Sequence, residues 1–362
     1  MNRVSIFFAS LLFVSIGLSM SLGPAPDKTP YRQPQLAVGD GMVAMAFASG
    51  GSVMIALSHD NGKTFSAPRA VSEAPVLATG RHRGPRVLFH GREMVVSAIV
   101  GKTLATGEHA HGLPSDGDLL VWRSLDRGKT WSKPSIVNDV PGAPREGLHA
   151  IVSDGHGELA AAWLDLRNTG TRLYGAFSKD GGATWSKNVL IYEASGGTIC
   201  QCCAPSLVAT GPGSFTVMFR NVVGESRDLY TLRLKGGQVV SKPEKVGAGT
   251  WAINACPMDG GGAYYDGGRM VSAWRRGDDV FLSTPGIPET KIGAGVDIAL
   301  TESAGHPYVA WQKAGKVVVW NWMHTETLTE QGGGFPALVG LPGGGILAAW
   351  EADGAISTRR VR

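Results

Sequence analysis

The sequence has little net charge and hardly any stretch with apolar residues at helical spacing. Its formal net charge is +4, and its Lys and Arg residues are scattered through 362 positions. The chain therefore lacks the basic track that nucleic acid-binding proteins turn toward phosphates. After the N-terminal region, no segment approaches the roughly 20 apolar residues that a membrane-spanning helix needs. We expect neither nucleic acid nor a membrane as a partner of the folded chain.

The N-terminal region has the order of a secretory signal peptide. Arg3 precedes an apolar stretch from residue 4 to about residue 18, and small residues follow ahead of a polar segment. We assign residues 1–23 to the signal peptide and expect a periplasmic or secreted protein, with an uncleaved anchor as the alternative. No cysteine follows the apolar stretch, so a bacterial lipid anchor on such a residue is excluded. No Pro/Ser-rich linker divides residues 24–362, which favours a single domain.

The remaining sequence is rich in turn residues and repeats itself. It contains 51 glycines and 10 tryptophans, which is typical of short strands joined by tight turns. One phrase recurs seven times: an apolar strand, a Gly turn, and an apolar strand that ends near Trp or Phe. The first strands start near Pro34, Pro85, His149, Pro205, Gly262, Val296 and Pro336. Radial repetition of such units is the pattern of a β-propeller.

Three repeats continue into the signature S-x-D-x-G-x-T-aromatic. We expect a turn in which the Asp accepts backbone N–H groups, the Gly supplies a positive φ, and the aromatic ring packs between sheets. The prediction for these loops is structural. The three loops contain Ser58, Asp60 and Gly62; Ser124, Asp126 and Gly128; and Ser178, Asp180 and Gly182.

These signatures resemble the Asp boxes of the bacterial neuraminidase (BNR) repeat, best known from sialidases. The resemblance implies an all-β propeller of four-stranded blades, for which the repeat count favours seven blades; six, as in sialidases, is the alternative. The last repeat has only three strands, and we expect an extended segment from Lys28 to Tyr31 to supply the fourth. The phrases REGLHA, AWLDLR, GGTICQCC and NACPMDGGG also resemble a bacterial subgroup labelled sialidase-like.

A blade of this kind places the start of its inner strand and the loop after its second strand on one rim. That rule selects charged residues, His and Cys for a common binding mouth, in which we expect Glu146 and Asp165 as catalytic carboxylates. An H-x-H pair, His109 and His111, is a weak metal candidate elsewhere. The residues predicted to bind substrate are Arg32, Arg83, Arg145, His149, Arg167, Arg220 and Arg275, and His82 and Arg86 fall on the same predicted rim.

Tyr31-Arg32-Gln33-Pro34 looks like the Y/F-R-I-P motif of sialidases, whose arginine is one of three that grip the sugar carboxylate. The planar fork of a guanidinium suits that task, and Arg220 and Arg275 are the expected companions. The resemblance is weaker for the catalytic residues, because the loop Ala48–Ser52 has no Asp to act as the acid. No local motif identifies the tyrosine nucleophile, for which Tyr264, Tyr265 and Tyr308 are candidates only by default.

All four cysteines fall in two segments of this rim. Export and an even count favour disulfides, including one between blades to Cys256. In an extended chain Cys200 and Cys202 would share one side and Cys203 the other. The alternative is a soft-metal or redox site, in which the thiolates, Met258 and His149 would suit Cu(I).

The sequence therefore carries two functional hypotheses. One is an exported sialidase-like propeller that binds or hydrolyses an anionic glycan at this rim and requires no cofactor. The other is a non-enzymatic propeller that binds a ligand or a metal, with copper as the candidate, through the cluster of Cys200, Cys202, Cys203 and Cys256.

Overall fold

The protein is an all-β ring, as the sequence predicts. The computed structural model describes residues 19–25, 27–107, 111–284, 286–329 and 331–362, and every regular element in these ranges is a β-strand. The strands form seven antiparallel sheets. The seven-bladed prediction is thus confirmed over the six-bladed alternative. Within the same ranges, no helix has the length and apolarity to cross a membrane.

Strands are numbered along the chain, and β1 (Met20–Leu22) belongs to the last blade. The blades follow the chain order, and the strands within a blade run from the centre outward. Blade one holds β2 (Tyr31–Gly39), β3 (Met42–Ser49), β4 (Ser52–Ser58) and β5 (Arg69–Glu73); blade two β6 (Val76–Leu77), β7 (Arg86–His90), β8 (Glu93–Gly101), β9 (Asp118–Ser124) and β10 (Ser135–Ile136); blade three β11 (His149–Ser153), β12 (Leu159–Asp165), β13 (Arg172–Ser178) and β14 (Val189–Tyr192).

The remaining blades repeat this arrangement, with one extra short strand in blade four. Blade four holds β15 (Ser206–Gly211), β16 (Ser214–Arg220), β17 (Leu229–Lys235), β18 (Gln238–Val239) and β19 (Glu244–Lys245); blade five β20 (Gly262–Asp266), β21 (Arg269–Arg276), β22 (Asp279–Thr284) and β23 (Ile287–Ala294); blade six β24 (Val296–Ser303), β25 (His306–Lys313), β26 (Lys316–Asn321) and β27 (Thr325–Thr329); blade seven β28 (Gly333–Gly340), β29 (Ile346–Ala352), β30 (Ala355–Val361) and β1.

Blade seven closes the ring with a strand from the beginning of the chain. In β1, Met20 is paired with Thr358 and Leu22 with Ile356 of β30. The predicted fourth strand at Lys28–Tyr31 is therefore wrong. That segment connects two blades, because Lys28 lies in a turn with φ of 65° and Tyr31 already begins the inner strand of blade one. The strand β1 lies inside the range assigned to the signal peptide.

A hydrophobic cluster fills each interface between neighbouring blades. The second strand of a blade is buried on both faces, as in β12, where every residue is buried. Its aromatic end residue packs toward a neighbouring blade: Trp163 lies between blades two and three, and Trp311 between blades five and six. Tyr31 and Phe47 join blade one to Ile356 of blade seven. Burial on both faces explains why these strands read as continuous apolar runs rather than as alternating ones.

The three Asp boxes form the predicted turns. In the first, Asp60 Oδ1 accepts the Thr64 N–H at 2.9 Å and the Ser58 hydroxyl at 2.7 Å, and Gly62 has φ of 79°. Hydrogen bonds led by that from the Thr64 hydroxyl hold the pKa of Asp60 well below its usual range. The ring of Phe65 packs between blades seven and one. These loops are structural, as predicted.

The strand registers separate the two rims of the ring. In blade one, Arg32 at the start of the inner strand is paired with Ala48 at the end of the second strand. The Asp box begins at Ser58, which is paired with Val43 at the opposite end of that second strand. The inner-strand starts thus lie on the rim away from the Asp boxes, as predicted.

Candidate functional site

The inner strands begin with an unusual backbone conformation. Near this point, six side-chain-bearing positions in five blades have φ between 48° and 67°, a region that costs free energy outside glycine. In blades one, six and seven the residue sits at a register shift in the inner strand. Strained residues that cluster at one rim are typical of binding and catalytic sites. The main examples are Gln33 (54°), His82 (67°), Met258 (55°), Asp297 (59°) and Phe335 (49°), and Arg81 (48°) adds a second position in blade two.

The loop that leads into blade two crosses the central channel. Arg81 Nη1 donates to Met258 Sδ at 2.7 Å, and His82 Nε2 lies 3.0 Å from Asp297 Oδ1. The His82 ring also meets the Phe335 ring edge-on, with centroids 5.8 Å apart. These partners belong to blades five, six and seven, none of which is next to blade two in a seven-membered ring. The contacts are therefore made across the channel.

We call this place the channel mouth. It combines strained backbone with titratable side chains, and it brings together the inner-strand starts of six blades. We define it by the loop 78–85 together with Gln33, Glu146, Met258, Asp259, Asp297 and Phe335.

His82 and Asp297 form an acid–base pair within the mouth. Burial lowers the pKa of His82, but the hydrogen bond to Asp297 and the negative charges of Asp259 and Asp297 outweigh it, so the net pKa is raised. Asp297 is itself held in place, because its N–H donates to Asp259 Oδ2 at 2.9 Å. The His82 side chain keeps 20% exposure. An imidazole oriented by a fixed carboxylate in this way is equipped for proton transfer.

Three arginines of the same loop region surround this pair. Arg83 Nε donates to the Glu146 backbone oxygen at 2.5 Å, and its Nη2 lies 3.4 Å from Glu146 Oε2. Arg86 donates to the carbonyl of His82, and burial lowers its pKa to about 10. Arg81 is exposed and has no carboxylate partner among the described residues. The mouth therefore offers, beside a histidine, one guanidinium whose recorded partner is a thioether and not a carboxylate.

Of the predicted site residues, the structure brings Arg83 and Glu146 into the mouth. Arg32 lies at its edge: its Nη1 is 3.2 Å from Glu351 Oε2 and its side chain is 54% exposed. Neighbouring Gln33 donates to the same carboxylate, from its N–H at 2.7 Å.

His149 lies deeper than expected. It is buried, its Nε2 is 2.9 Å from Ser97 Oγ, and burial holds its pKa well below its ordinary value. The predicted role in ligand binding would require this neutral ring to be reached from the channel.

Asp165 and Arg167, also predicted for the site, bind each other. Both oxygens of Asp165 accept hydrogen bonds from Arg167, and Trp163 Nε1 donates to one of them at 2.8 Å. Arg167 also contacts Asp139 and lies over the Tyr174 ring. The Asp165 side chain is fully buried. The contacts of this pair are structural, and none reaches the channel mouth.

The remaining predicted arginines bind backbone carbonyls. Arg220 is buried and donates to the carbonyls of Asp259, Arg227 and Arg275. Arg275 donates to Gly277 O at 2.6 Å. No recorded contact joins these two to Arg32, so a three-arginine clamp is not assembled among the described side chains.

Arg145 contributes to a groove away from the mouth. It lines a cavity of about 720 Å³ together with Glu73, Asp116 and Trp122, at the edge of blades one and two. It donates to Gly142 O at 3.1 Å. The structure thus separates Arg145 from its sequence neighbour Glu146.

The tyrosine candidates also lie elsewhere. Tyr308 is in the core between blades six and seven. Tyr264 and Tyr265 lie toward the far end of β20, and burial raises the pKa of Tyr264 to about 12. All seven tyrosines of the chain fall within the described ranges, and none belongs to the channel mouth as defined here. His109 of the proposed H-x-H pair lies outside the described residues.

Three cysteines converge beside the mouth. The Sγ atoms of Cys200, Cys202 and Cys203 are separated by 3.4, 3.6 and 3.9 Å. The expectation that Cys203 points away is wrong, because residues 201–203 form a turn instead of an extended strand. Cys256 is exposed and apart from them, and all four are free thiols. The predicted disulfide to Cys256 is not present in the structure.

The trio has the donor set of a metal site. Its three sulfur atoms are close enough to share one ion, and Met258 packs against them. Hydrogen bonds from the other two thiols lower the pKa of Cys200, whereas burial raises the pKa of Cys203. A stabilised thiolate beside arginines suits soft-metal binding or thiol chemistry.

Sequence reasoning missed Arg81, Asp259 and Asp297. Asp297 stands next to Val296, the recognised start of the sixth repeat, and Asp259 follows Met258. The inner-strand rule could therefore have named both. Arg81 carries no such signal, since its position depends on the loop that crosses the channel.

Comparison with known proteins identifies relatives by fold only. No family model and no curated protein matches the sequence. Among solved structures, a PL25 ulvan lyase, described as a polysaccharide lyase, matches with a TM-score of 0.57 at 11% identity over 94% of this chain and 96% of the lyase.

Two sialidases give similar values. The NanB sialidase of Streptococcus pneumoniae matches with a TM-score of 0.54 at 12% identity, over 95% of this chain and 70% of the enzyme. The intramolecular trans-sialidase of Ruminococcus gnavus matches with a TM-score of 0.54 at 14% identity, over 95% and 96%. The chain therefore has the β-propeller fold found in sialidases and in a polysaccharide lyase.

Proposed function

We propose that this protein is an exported propeller that binds an acidic saccharide at the channel mouth and acts on it by proton transfer through His82 and Asp297. The observation that carries the proposal is the loop 78–85, which crosses the channel and sets Arg81, His82 and Arg83 side by side. A periplasmic or secreted location is part of the proposal and rests on the N-terminal sequence.

The charges of the mouth favour a carboxylate on the ligand. Arg81 has no acidic partner among the described residues. Arg83 contacts a carboxylate only through Nη2, which lies 3.4 Å from Glu146 Oε2. Arg32, with its half-exposed side chain at the edge, adds a third guanidinium. Because a guanidinium fork binds a carboxylate through two hydrogen bonds, a uronate or sialate unit fits better than a neutral sugar.

The acid–base pair favours elimination over a sialidase-type hydrolysis. Retaining sialidases need a tyrosine nucleophile, which the mouth does not contain. β-Elimination needs a base that takes the proton from the carbon beside the carboxylate, a cation that stabilises the resulting negative charge, and a proton for the glycosidic oxygen that leaves as the C=C bond forms. Unprotonated His82 would take the first proton, the neighbouring arginines would stabilise the charge, and the protonated His82 ring or solvent would protonate the leaving oxygen. The ulvan lyase, which has been solved with a glucuronate-containing saccharide, supports a glycan ligand for this fold.

The proposal is tested with acidic oligosaccharides, sialosides and neutral oligosaccharides of matched length. Calorimetry should show binding of an acidic ligand and none of the neutral ones. R81Q should weaken binding about 10- to 100-fold, since a hydrogen bond to a charged group is worth about 1.5–3 kcal/mol. H82Q should keep binding and lower turnover by about 10²- to 10⁴-fold, measured by the absorbance of the unsaturated product.

The matched control is R92Q. Arg92 is an arginine on the Asp-box rim, 3.4 Å from Asp40, with 85% side-chain exposure, and its loss should change neither binding nor turnover. Equal affinity for neutral and acidic ligands, or full binding by R81Q, would refute the proposed site. Release of the reporter group from a sialoside without an unsaturated product would refute elimination.

A further inference from the structure

The cysteine trio has the dimensions of a three-coordinate thiolate site. A point equidistant from sulfur atoms 3.4, 3.6 and 3.9 Å apart lies about 2.1 Å from each. An ion slightly above the plane of the three atoms reaches the metal–thiolate bond length of about 2.3 Å. The side chains need no rearrangement for this, because the turn at 201–203 already directs all three sulfur atoms to one point.

The surroundings of the trio indicate which ion it would hold. Met258 packs against the trio, its sulfur accepts a hydrogen bond from Arg81, and no imidazole or carboxylate belongs to the group within the described residues. Zinc sites normally complete four ligands with thiolate, imidazole or carboxylate. Soft thiolate and thioether donors select Cu(I).

Nearby charges suit a site of this composition. Three thiolates with one Cu(I) carry a net charge of −2. Arg220 interacts electrostatically with Cys200 and Cys203, and Arg83 with Cys202. Two buried guanidinium groups therefore balance the cluster, which lowers the cost of keeping it out of water. Cys202 is the most exposed of the three, at 8%, and the exposed Arg81 of the mouth contacts Met258.

We infer that Cys200, Cys202 and Cys203 bind one Cu(I) ion, with Met258 as an auxiliary ligand, at the wall of the channel mouth. On binding, protonated thiols of the trio release their protons to solvent as the Cu–S bonds form, and no electron is transferred. The sulfur donors include none of the groups proposed to transfer protons, although Arg81 and Arg83, proposed to bind the saccharide, interact with Met258 and Cys202.

The experiment is an anaerobic titration of the reduced full chain with Cu(I) held by bicinchoninate. The expected result is one Cu(I) per chain, with an X-ray absorption spectrum that contains only sulfur neighbours at about 2.3 Å. Failure of the wild-type chain to remove Cu(I) from the competitor, or nitrogen and oxygen ligands in the spectrum, would overturn the inference. This measurement on the wild-type chain does not depend on any variant folding.

Variants then locate the ion. C203S should lose it, M258L should bind it more weakly, and C256S should bind it as the wild type does, because Cys256 is an exposed cysteine of the neighbouring segment outside the trio. If C256S loses as much copper as C203S, the assignment to the trio is wrong. Near-ultraviolet circular dichroism verifies that each variant is folded.

Discussion

At the scale of single residues, the notable feature is that side chains with titratable groups occupy backbone conformations that glycine would adopt more easily. His82 and Asp297 both have positive φ, and they contact each other across the channel. Each strained residue costs of order 1–3 kcal/mol and persists only where its surroundings fix it. The apolar interfaces between blades offset this cost, so the strained backbone can hold the side chains of His82 and Asp297 in a fixed relative position.

The His82–Asp297 pair predicts a pH dependence of stability. The folded pKa of His82 is raised above its unfolded value of about 6.5. Its contribution is therefore fully present below that pH and is lost as the pH rises through the higher folded pKa. The Tm of the wild type should fall across this window, and that of D297N should fall less.

NMR titration of the His82 ring gives the same test directly. The wild-type ring should titrate above the ordinary histidine value and the D297N ring lower than that. An unchanged His82 titration in D297N would contradict the pairing.

Residue-level prediction from the sequence succeeded where position in the repeat decides the location. Arg83 and Glu146 were placed on the correct rim because both precede an inner strand. Arg220 was not recognised as structural, since the sequence does not show that three carbonyls surround its guanidinium. The cysteine geometry also escaped prediction, because a single turn between Cys200 and Cys203 reverses the alternation expected of an extended chain.

At the scale of elements, the short strand β1 contributes more to closing the ring than its three residues suggest. It completes blade seven through three residue pairs, and Leu22 packs with the cluster that joins blades seven and one. A chain that starts at Pro24 should therefore have a Tm lower by roughly 1–2 °C than one that starts at Met20, as expected for about 1 kcal/mol in a domain of this size. Hydrogen exchange should show faster exchange in β30 of the shorter chain.

The same strand bears on how the chain would be processed if it is exported as we propose. If β1 is part of the mature fold, signal cleavage should occur before Met20, and mass spectrometry of the secreted form should find this residue. A mature chain that begins at Pro24 with unaltered protection in β30 would contradict a structural role for β1.

The elements themselves could largely be predicted from the sequence. The seven recurring strand pairs correspond to the inner and second strands of the seven blades, and the Asp boxes lie where the repeat places them. The fourth strand of blade seven was misplaced because Met20–Leu22 reads as the end of a signal peptide. Pairing with a strand more than 330 residues away, such as Met20 with Thr358, leaves no local pattern in so short a segment.

At the scale of the whole molecule, seven apolar interfaces form a closed ring. Each blade is packed on two sides, so weakening one interface weakens the ring as a unit. W163A, between blades two and three, and W311A, between blades five and six, should each cost about 3–5 kcal/mol. Both should lower the midpoint of one common unfolding transition.

Far- and near-ultraviolet circular dichroism should report the same midpoint in each variant. W322A is the control, because Trp322 is 54% exposed and its loss should leave the midpoint unchanged. Separate transitions for the two halves of the ring would show that blades unfold independently.

The loop 78–85 spans the central channel at one end of the ring. Through Arg81, His82 and Arg83 it touches blades three, five, six and seven, although it is anchored in blade two. If the mouth binds an acidic polysaccharide as we propose, the polymer therefore cannot thread through the centre at this end and must present its chain end or a bend to the surface. The product of the proposed reaction would leave by the side from which the ligand arrived.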